Sequence, residues 1–248
     1  MQYKEYGKQN RDVIILLHGG GLSWWNYRDI AEMLQANYHV ILPILDGHAG
    51  SDRAFTTIKE NAKEIIDFIE ERFGGAVLLI GGLSLGGQVL LEILSQREDV
   101  CQYAVLESAR VIPSKFTYSL IKPVFGTCYG LIRYKWFSEW QFKSLRMRSE
   151  LFDDYFRDTR RILKSDMIAF LQANALYTVK DSIQNCSAIV HIFVGENETH
   201  TMRRSAAMIH EKLRGSTMQI LPKMYHGEFS INHAPEYVDK VLEIVKER

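Results

Sequence analysis

Residues Ala76 to Gln96 read AVLLIGGLSLGGQVLLEILSQ, and the rest of the chain is organised around them. The stretch opens with an unbroken apolar run, Ala76-Val77-Leu78-Leu79-Ile80, short and branched enough for a buried strand. It closes with Gln88-Val89-Leu90-Leu91-Glu92-Ile93-Leu94, whose apolar density suits a helix buried on most sides. Between them Gly82-Leu83-Ser84-Leu85-Gly86 reads G-x-S-x-G. A strand that turns straight into a helix holds its turning residue in a strained, exposed conformation. Glycines two before and two after that residue remove the side chains that would clash. The Ser84 hydroxyl is thereby pushed out above the strand end, near the positive end of the next helix.

Working towards the N-terminus, Val13-Ile14-Ile15-Leu16-Leu17 is a second buried strand that runs into His18-Gly19-Gly20-Gly21, and a faint pattern over Met1 to Asn10 allows a short edge strand. A helix from Trp24 to Gln35, with Ile30, Met33 and Leu34 on its apolar face, leads to the strand His39 to Leu45. The polar loop Asp46 to Ser51 follows, then an amphipathic helix from Thr57 to Phe73, stopped by Gly74-Gly75. Beyond Ser84 come a strand at Tyr103 to Glu107, a strand at Ala188 to Val194, a helix near Met202 to Leu213, a strand at Thr217 to Leu221 and a helix near Pro235 to Lys246. Strands alternating with helices predict an α/β fold: a mostly parallel central sheet with helices on both faces. The alternation breaks between Arg110 and Ser187, where the pattern is helical and aromatic. The expected organisation is a core of residues 1–109 and 188–248 with a helical lid, 110–187, inserted between two late strands. Its aromatics, Phe116, Tyr118, Phe125, Tyr129, Tyr134, Trp136, Phe137, Trp140 and Phe142, are expected to form a small core of the lid's own. It holds 13 basic and 7 acidic side chains, a bias that favours an anionic substrate no more than it suits a solvated helical face.

Composition narrows the classes. At 248 residues and 46% hydrophobic, the chain fits one large domain, or one with a sizeable insertion. Thirty basic residues balance thirty acidic ones, so no global field recruits nucleic acid or an anionic membrane. Three widely spaced cysteines argue against a disulfide framework and a metal site and suit a reducing cytoplasm. No apolar run reaches the length of a membrane span, and the N-terminus is too polar for a secretory signal. The expectation is a cytoplasmic protein acting on a small molecule, without cofactor, metal, nucleic acid or stable membrane insertion, its oligomeric state open.

A serine hydroxyl needs a base to become a nucleophile at neutral pH. His226 is the leading candidate, because it follows the last strand on the sheet edge that carries Ser84. His210 and His191 lie within a predicted helix and strand; His48 and His200 lie in loops at the same edge, and His233 leads into the last helix. A carboxylate must then orient the base. Strand Ile189 to Val194 leads into Gly195-Glu196-Asn197-Glu198, which makes Glu198 the first choice, Glu196 the second and Glu107 the third. An oxyanion would find donors in the N–H groups of Leu85 and Gly20.

With the serine pentapeptide, the His-Gly loop and the late histidine in this chain order, the sequence resembles the α/β-hydrolases of the serine-hydrolase type over nearly its whole length. The resemblance implies Ser84 as nucleophile, His226 as base, Glu198 as acid, and Gly20 and Leu85 as the oxyanion hole. Aspartate is usual at the acid position, so glutamate is a departure. The Asp46 to Ser51 loop matches the family's D-x-x-G-x-G-x-S segment imperfectly, with Ala49 in place of a glycine. Serine at position 84 argues against the branches that use an aspartate nucleophile. Within the serine branch the sequence resembles small bacterial carboxylesterases, lipases and acyl-group hydrolases, which implies cleavage of an ester or thioester, and equally resembles the carbon–carbon-cleaving and lyase branches. A carbon–carbon hydrolase, a lyase using the same triad, and a non-catalytic binder are the alternatives.

Overall fold

A computed structural model describes residues 1–246. Seven strands form one sheet in the order β1-β3-β2-β4-β5-β6-β7. They are β1 (Tyr3–Tyr6), β2 (Val13–Leu17), β3 (His39–Pro43), β4 (Val77–Leu83), β5 (Cys101–Glu107), β6 (Ile189–Gly195) and β7 (Thr217–Leu221). Only β1 runs antiparallel, against β3; every other pairing is parallel. The central strands are buried on both faces, as their unbroken apolar runs require. Along β2 the side chains alternate between two cores. Val13, Ile15 and Leu17 point into one, Ile14 and Leu16 into the other.

The first core packs against α2 (Ile58–Phe73), α3 (Leu85–Gln96) and α8 (His200–Lys212). The second packs against α1 (Arg28–Leu34) and α10 (Ala234–Val245). Helix α2 shows why such boundaries are readable: the Thr57 hydroxyl accepts from the Glu60 N–H at its start, and Gly74 takes φ 71° at its end. Helix α1 departs from the reading. Residues Trp24–Tyr27 form a 3-10 turn, and Ile30, Ala31 and Leu34 make the buried face while Met33 lies exposed. His200 begins α8 rather than lying in a loop.

Residues 110–187, between β5 and β6, hold α4 (Lys115–Cys128), α5 (Lys135–Ser144), α6 (Phe152–Thr159) and α7 (Lys164–Leu176). The expectation that their aromatics form a private core is corrected. Of the nine named, only Phe142 is buried, and Phe116, Tyr134, Trp136 and Trp140 are largely exposed. The segment packs instead onto the two existing cores, through Met167 and Phe170 on one side and Phe142, Leu151 and Tyr155 on the other. Among the described residues, no helix is long and apolar enough to cross a membrane.

Candidate active site

Strands β2 and β4 are neighbours, and the chain leaves them in opposite directions, to β3 on one side and β5 on the other. A crevice opens at their carboxyl ends, where open parallel sheets bind ligands. Ser84 follows β4 there with φ 53° and ψ −109°, a conformation rarely held by a residue with a side chain. The flanking glycines are forced by close backbone approach. A Cβ on Gly82 would lie 2.4 Å from the Gly86 carbonyl oxygen, and one on Gly86 would lie 2.1 Å from that of Leu17. The elbow can fold only because those two side chains are absent.

His226 comes from the loop between β7 and α9 (Glu228–Asn232). The Glu228 carboxylate folds back to accept from the Tyr225 N–H at 2.8 Å, and Gly227 at φ 70° turns the chain into the helix. His226 Nε2 lies 3.1 Å from Ser84 Oγ, and its Nδ1 lies 2.8 Å from Glu198 Oε2. These partners assign the tautomer: Nδ1–H donates to the carboxylate, and Nε2 is left to accept from the serine.

Glu198 occupies a tight turn after β6. Its N–H donates to the Gly195 carbonyl, and a Cβ on Gly195 would lie 2.3 Å from the Met224 carbonyl oxygen. The side chain is buried, and Oε1 accepts from Ser108 Oγ at 2.7 Å and from the Gly195 N–H at 2.9 Å. Burial alone would raise the carboxyl's pKa. The hydrogen bond and charge of His226, with the two donors on Oε1, outweigh it and hold the group below its ordinary range.

The other two carboxylates do different things. Glu196 is exposed and accepts from the Lys223 N–H. Glu107 is buried near Glu198 and His226, accepts from the Phe229 and Ser230 N–H groups, and so holds the start of α9 in place. Burial pushes its pKa up to about 7 in spite of those donors. Ser108 escaped the sequence reading. Its signal was slight: a small polar residue directly after a buried strand, placed at φ 55°.

The His18-Gly21 loop is shaped by two buried histidines. His18 Nε2 accepts from the Leu45 N–H, so its Nδ1–H donates to the Gly19 carbonyl. His48 Nε2 accepts from the Gly21 N–H and its Nδ1–H donates to the Asp46 carbonyl. Burial lowers them to about 3 and about 4, with His48 adding to the fall at His18, so both are neutral. Gly20 is left between these anchors. A Cβ on it would lie 3.5 Å from the Leu85 Cβ, so the two residues converge beside Ser84. Among the described residues, no hydrogen bond uses the Gly20 N–H or the Leu85 N–H, the latter at the open start of α3.

A cleft of about 140 Å³ opens over Ser84, walled by Gly20, Leu22, Leu83 and Ile231 and, from the inserted segment, by Leu145 and Met147. A wider groove of about 440 Å³ continues beyond His226. A concavity of about 750 Å³ lies at the amino ends of the strands, among Val13, Val77, Cys101 and Ile189, and holds none of these groups. Among the described residues, no cluster of His, Cys, Asp or Glu side chains is arranged to hold a metal ion.

The profile of the Alpha/beta hydrolase family matches residues 14–240. The chain belongs to the alpha/beta hydrolase family. No curated protein matches this α/β-hydrolase in sequence. Its fold is shared with a thermophilic esterase from Thermogutta terrifontis, at 16% identity and TM-score 0.81, over 99% of this chain and 93% of that one. An enol-lactonase from Burkholderia xenovorans LB400 aligns at 13% identity and TM-score 0.82, over 99% and 96% of the two chains. MenH from S. aureus aligns at 17% identity and TM-score 0.79, over 99% and 98%.

Proposed function

We propose that this α/β-hydrolase is a serine hydrolase that cleaves a carboxylic ester or thioester of a small, partly apolar substrate through an acyl-enzyme on Ser84. The observation that carries the reading is the unbroken relay from Ser84 Oγ through His226 to Glu198, with contacts of 3.1 and 2.8 Å. As Oγ bonds to the acyl carbon, its proton passes to His226 Nε2, and Glu198 stabilises the imidazolium. The carbonyl oxygen becomes an oxyanion beside the uncommitted Gly20 and Leu85 N–H groups. One such donor is worth roughly 2.7–4 kcal/mol in the transition state. Collapse breaks the bond to the leaving oxygen or sulfur, which takes the proton back from His226. Water then attacks the acyl carbon and gives a proton to His226, which passes it to Ser84 Oγ as the acyl–Oγ bond breaks, releasing the acid and restoring the free serine. Residues 110–187 act as a lid in this reading, because Leu145 and Met147 wall the cleft above the serine. The cleft's small volume favours short acyl chains.

The test is hydrolysis of p-nitrophenyl esters of increasing acyl length, wild type beside Ser84→Ala. Turnover that peaks at short chains and falls at least about a thousandfold in the variant is expected. Turnover retained in folded Ser84→Ala would falsify the assignment. Inactivity across the series with stoichiometric fluorophosphonate labelling of Ser84 would instead direct the activated serine to carbon–carbon cleavage or proton abstraction.

A further inference from the structure

We propose that the groove beyond His226 is a carboxylate-binding subsite, so that the leaving group of the ester carries a negative charge. The inference rests on the hydrolase reading for its placement: His226 hands its proton to the leaving group, which must therefore lie on its side. The groove shares His226 and Leu145 with the Ser84 cleft, and two arginines, Arg110 and Arg146, line it.

Among the described residues, neither guanidinium is ion-paired, whereas Arg148 and Arg157 of the same inserted segment are held by Asp29 and by Asp154 and Asp158. The one acid on the groove wall is Glu198. Its side chain is 1% exposed and both its oxygens are occupied, so it forms no ion pair with either arginine. Its charge on the same wall opposes a dianion more than a monoanion, which favours carboxylate over phosphate.

Arg146 is held ready. Its guanidinium stacks on the Tyr225 ring at 3.7 Å, one residue from His226. Its backbone takes φ 55°, a left-handed conformation that a residue with a side chain keeps only with support. The support is Asn232, whose Nδ2 donates to the Arg146 carbonyl at 2.8 Å while its Oδ1 accepts from the Arg148 N–H at 3.0 Å. Arg110 stands where the inserted segment leaves β5. Its Nε donates to the Ile112 carbonyl and its own carbonyl accepts from Gln88, leaving its terminal nitrogens for a ligand. Two planar forks facing one groove suit a carboxylate, which accepts bidentate pairs.

The experiment compares 3- and 4-acetoxybenzoate with their methyl esters, each enzymatic rate divided by its uncatalysed rate. For the wild type, kcat/KM should favour the free acid by about tenfold or more, chiefly through KM. The preference should shrink in 0.5 M NaCl and collapse towards one in Arg110→Gln/Arg146→Gln. Arg146→Lys, which keeps charge but loses the fork, should recover part of it. A wild-type ratio at or below one, or a ratio unchanged in the double variant, overturns the subsite and leaves the hydrolase reading standing. Calorimetric titration of Ser84→Ala with 3-hydroxybenzoate and its methyl ester separates the opposite case. Arginine-dependent binding of the acid, with no turnover of any ester by the wild type, sinks the hydrolase reading and keeps the subsite. Absence of both binding and selectivity overturns the subsite.

Discussion

The elbow between β4 and α3 and the helical segment between β5 and β6 both wall the cleft over Ser84, but they are held by different means. At the elbow, backbone meets backbone: Gly82 approaches Gly86, and Gly86 approaches Leu17, at distances that exclude any side chain. The inserted segment is attached by side-chain pins. Trp25 Nε1 donates to Asp158, the Asp166 carboxylate accepts from the Phe55 N–H, and Gln88 and Asn174 exchange hydrogen bonds. Backbone contacts impose residue identity, since glycine alone fits. Side-chain pins can be made by many residue pairs, so the segment's attachment is a matter of particular partners rather than of pattern.

The comparison is broken most directly by adding one methyl group to each region. Gly86→Ala should cost about 4 kcal/mol or more, because the strand-to-helix turn cannot yield without moving β2, and should leave little folded protein. Gly126 in α4 has open space around its would-be Cβ. Gly126→Ala should stabilise by roughly 0.5–1 kcal/mol through the lost freedom of the unfolded chain and better helix propensity. Chemical denaturation of both variants checks the contrast; comparable destabilisation would erase it.

What the sequence made legible follows the same division. The strand-elbow-helix stretch, the succession of strands and helices along the chain and the stop of α2 at Gly74 rest on local rules, and the parallel sheet with helices on both faces is the fold those rules predict. The contact of Ser84, His226 and Glu198 was readable because each follows a strand on one sheet edge. Ser108, which steadies Glu198, and Asn232, which grips the 146–148 turn, were not readable. Each acts across 84 or more residues of chain, and neither belongs to a periodic pattern. The exposed aromatics of α4 and α5 misled for a related reason. An aromatic at helical spacing tells of a face, not of what covers it.

In the proposed mechanism the three carboxylates contrast an orienting acid with two structural ones. Glu198→Gln should lower kcat/KM by roughly 10³–10⁴, since an amide can force the wrong histidine tautomer and cannot stabilise the imidazolium. Glu196→Gln, which alters a carboxylate that accepts from the Lys223 N–H at the surface, should stay within about twofold of wild type. Ester kinetics on the purified variants decide, and equal losses would move the acid's role away from Glu198.

Next in size is the grip of the core on the inserted segment. Trp25→Phe strips the hydrogen bond to buried Asp158 and should cost about 1–3 kcal/mol. Asn232→Ala frees the 146–148 turn, should cost about 1 kcal/mol, and should raise KM several-fold with a smaller change in kcat. Thermal unfolding and ester kinetics, measured on both variants, tell attachment from shaping of the cleft. A kcat loss equal to the KM effect in Asn232→Ala would mean that the triad itself had moved.

The subtlest effect concerns Glu107, which is buried near Glu198 and His226. Burial raises its pKa to about 7 and outweighs the hydrogen bonds from the Ser230 and Phe229 N–H groups. A carboxyl raised in the folded state contributes stability that is full below its unfolded value near 4.5 and is lost as pH rises through about 7. Asp46, raised by burial to about 6, acts with the same sign. His18 and His48 act oppositely: buried neutral, they contribute above about 6.5 and lose that contribution as acid protonates the unfolded chain. Glu107→Gln keeps the acceptor for the α9 amides and removes the titration. The variant's melting temperature relative to wild type should therefore be nearly unchanged at pH 5, rise through pH 7 and level off above pH 8. A flat difference across that range would mean that the α9 amides, not burial, set the charge of Glu107, and that the carboxylate stays ionised behind the triad.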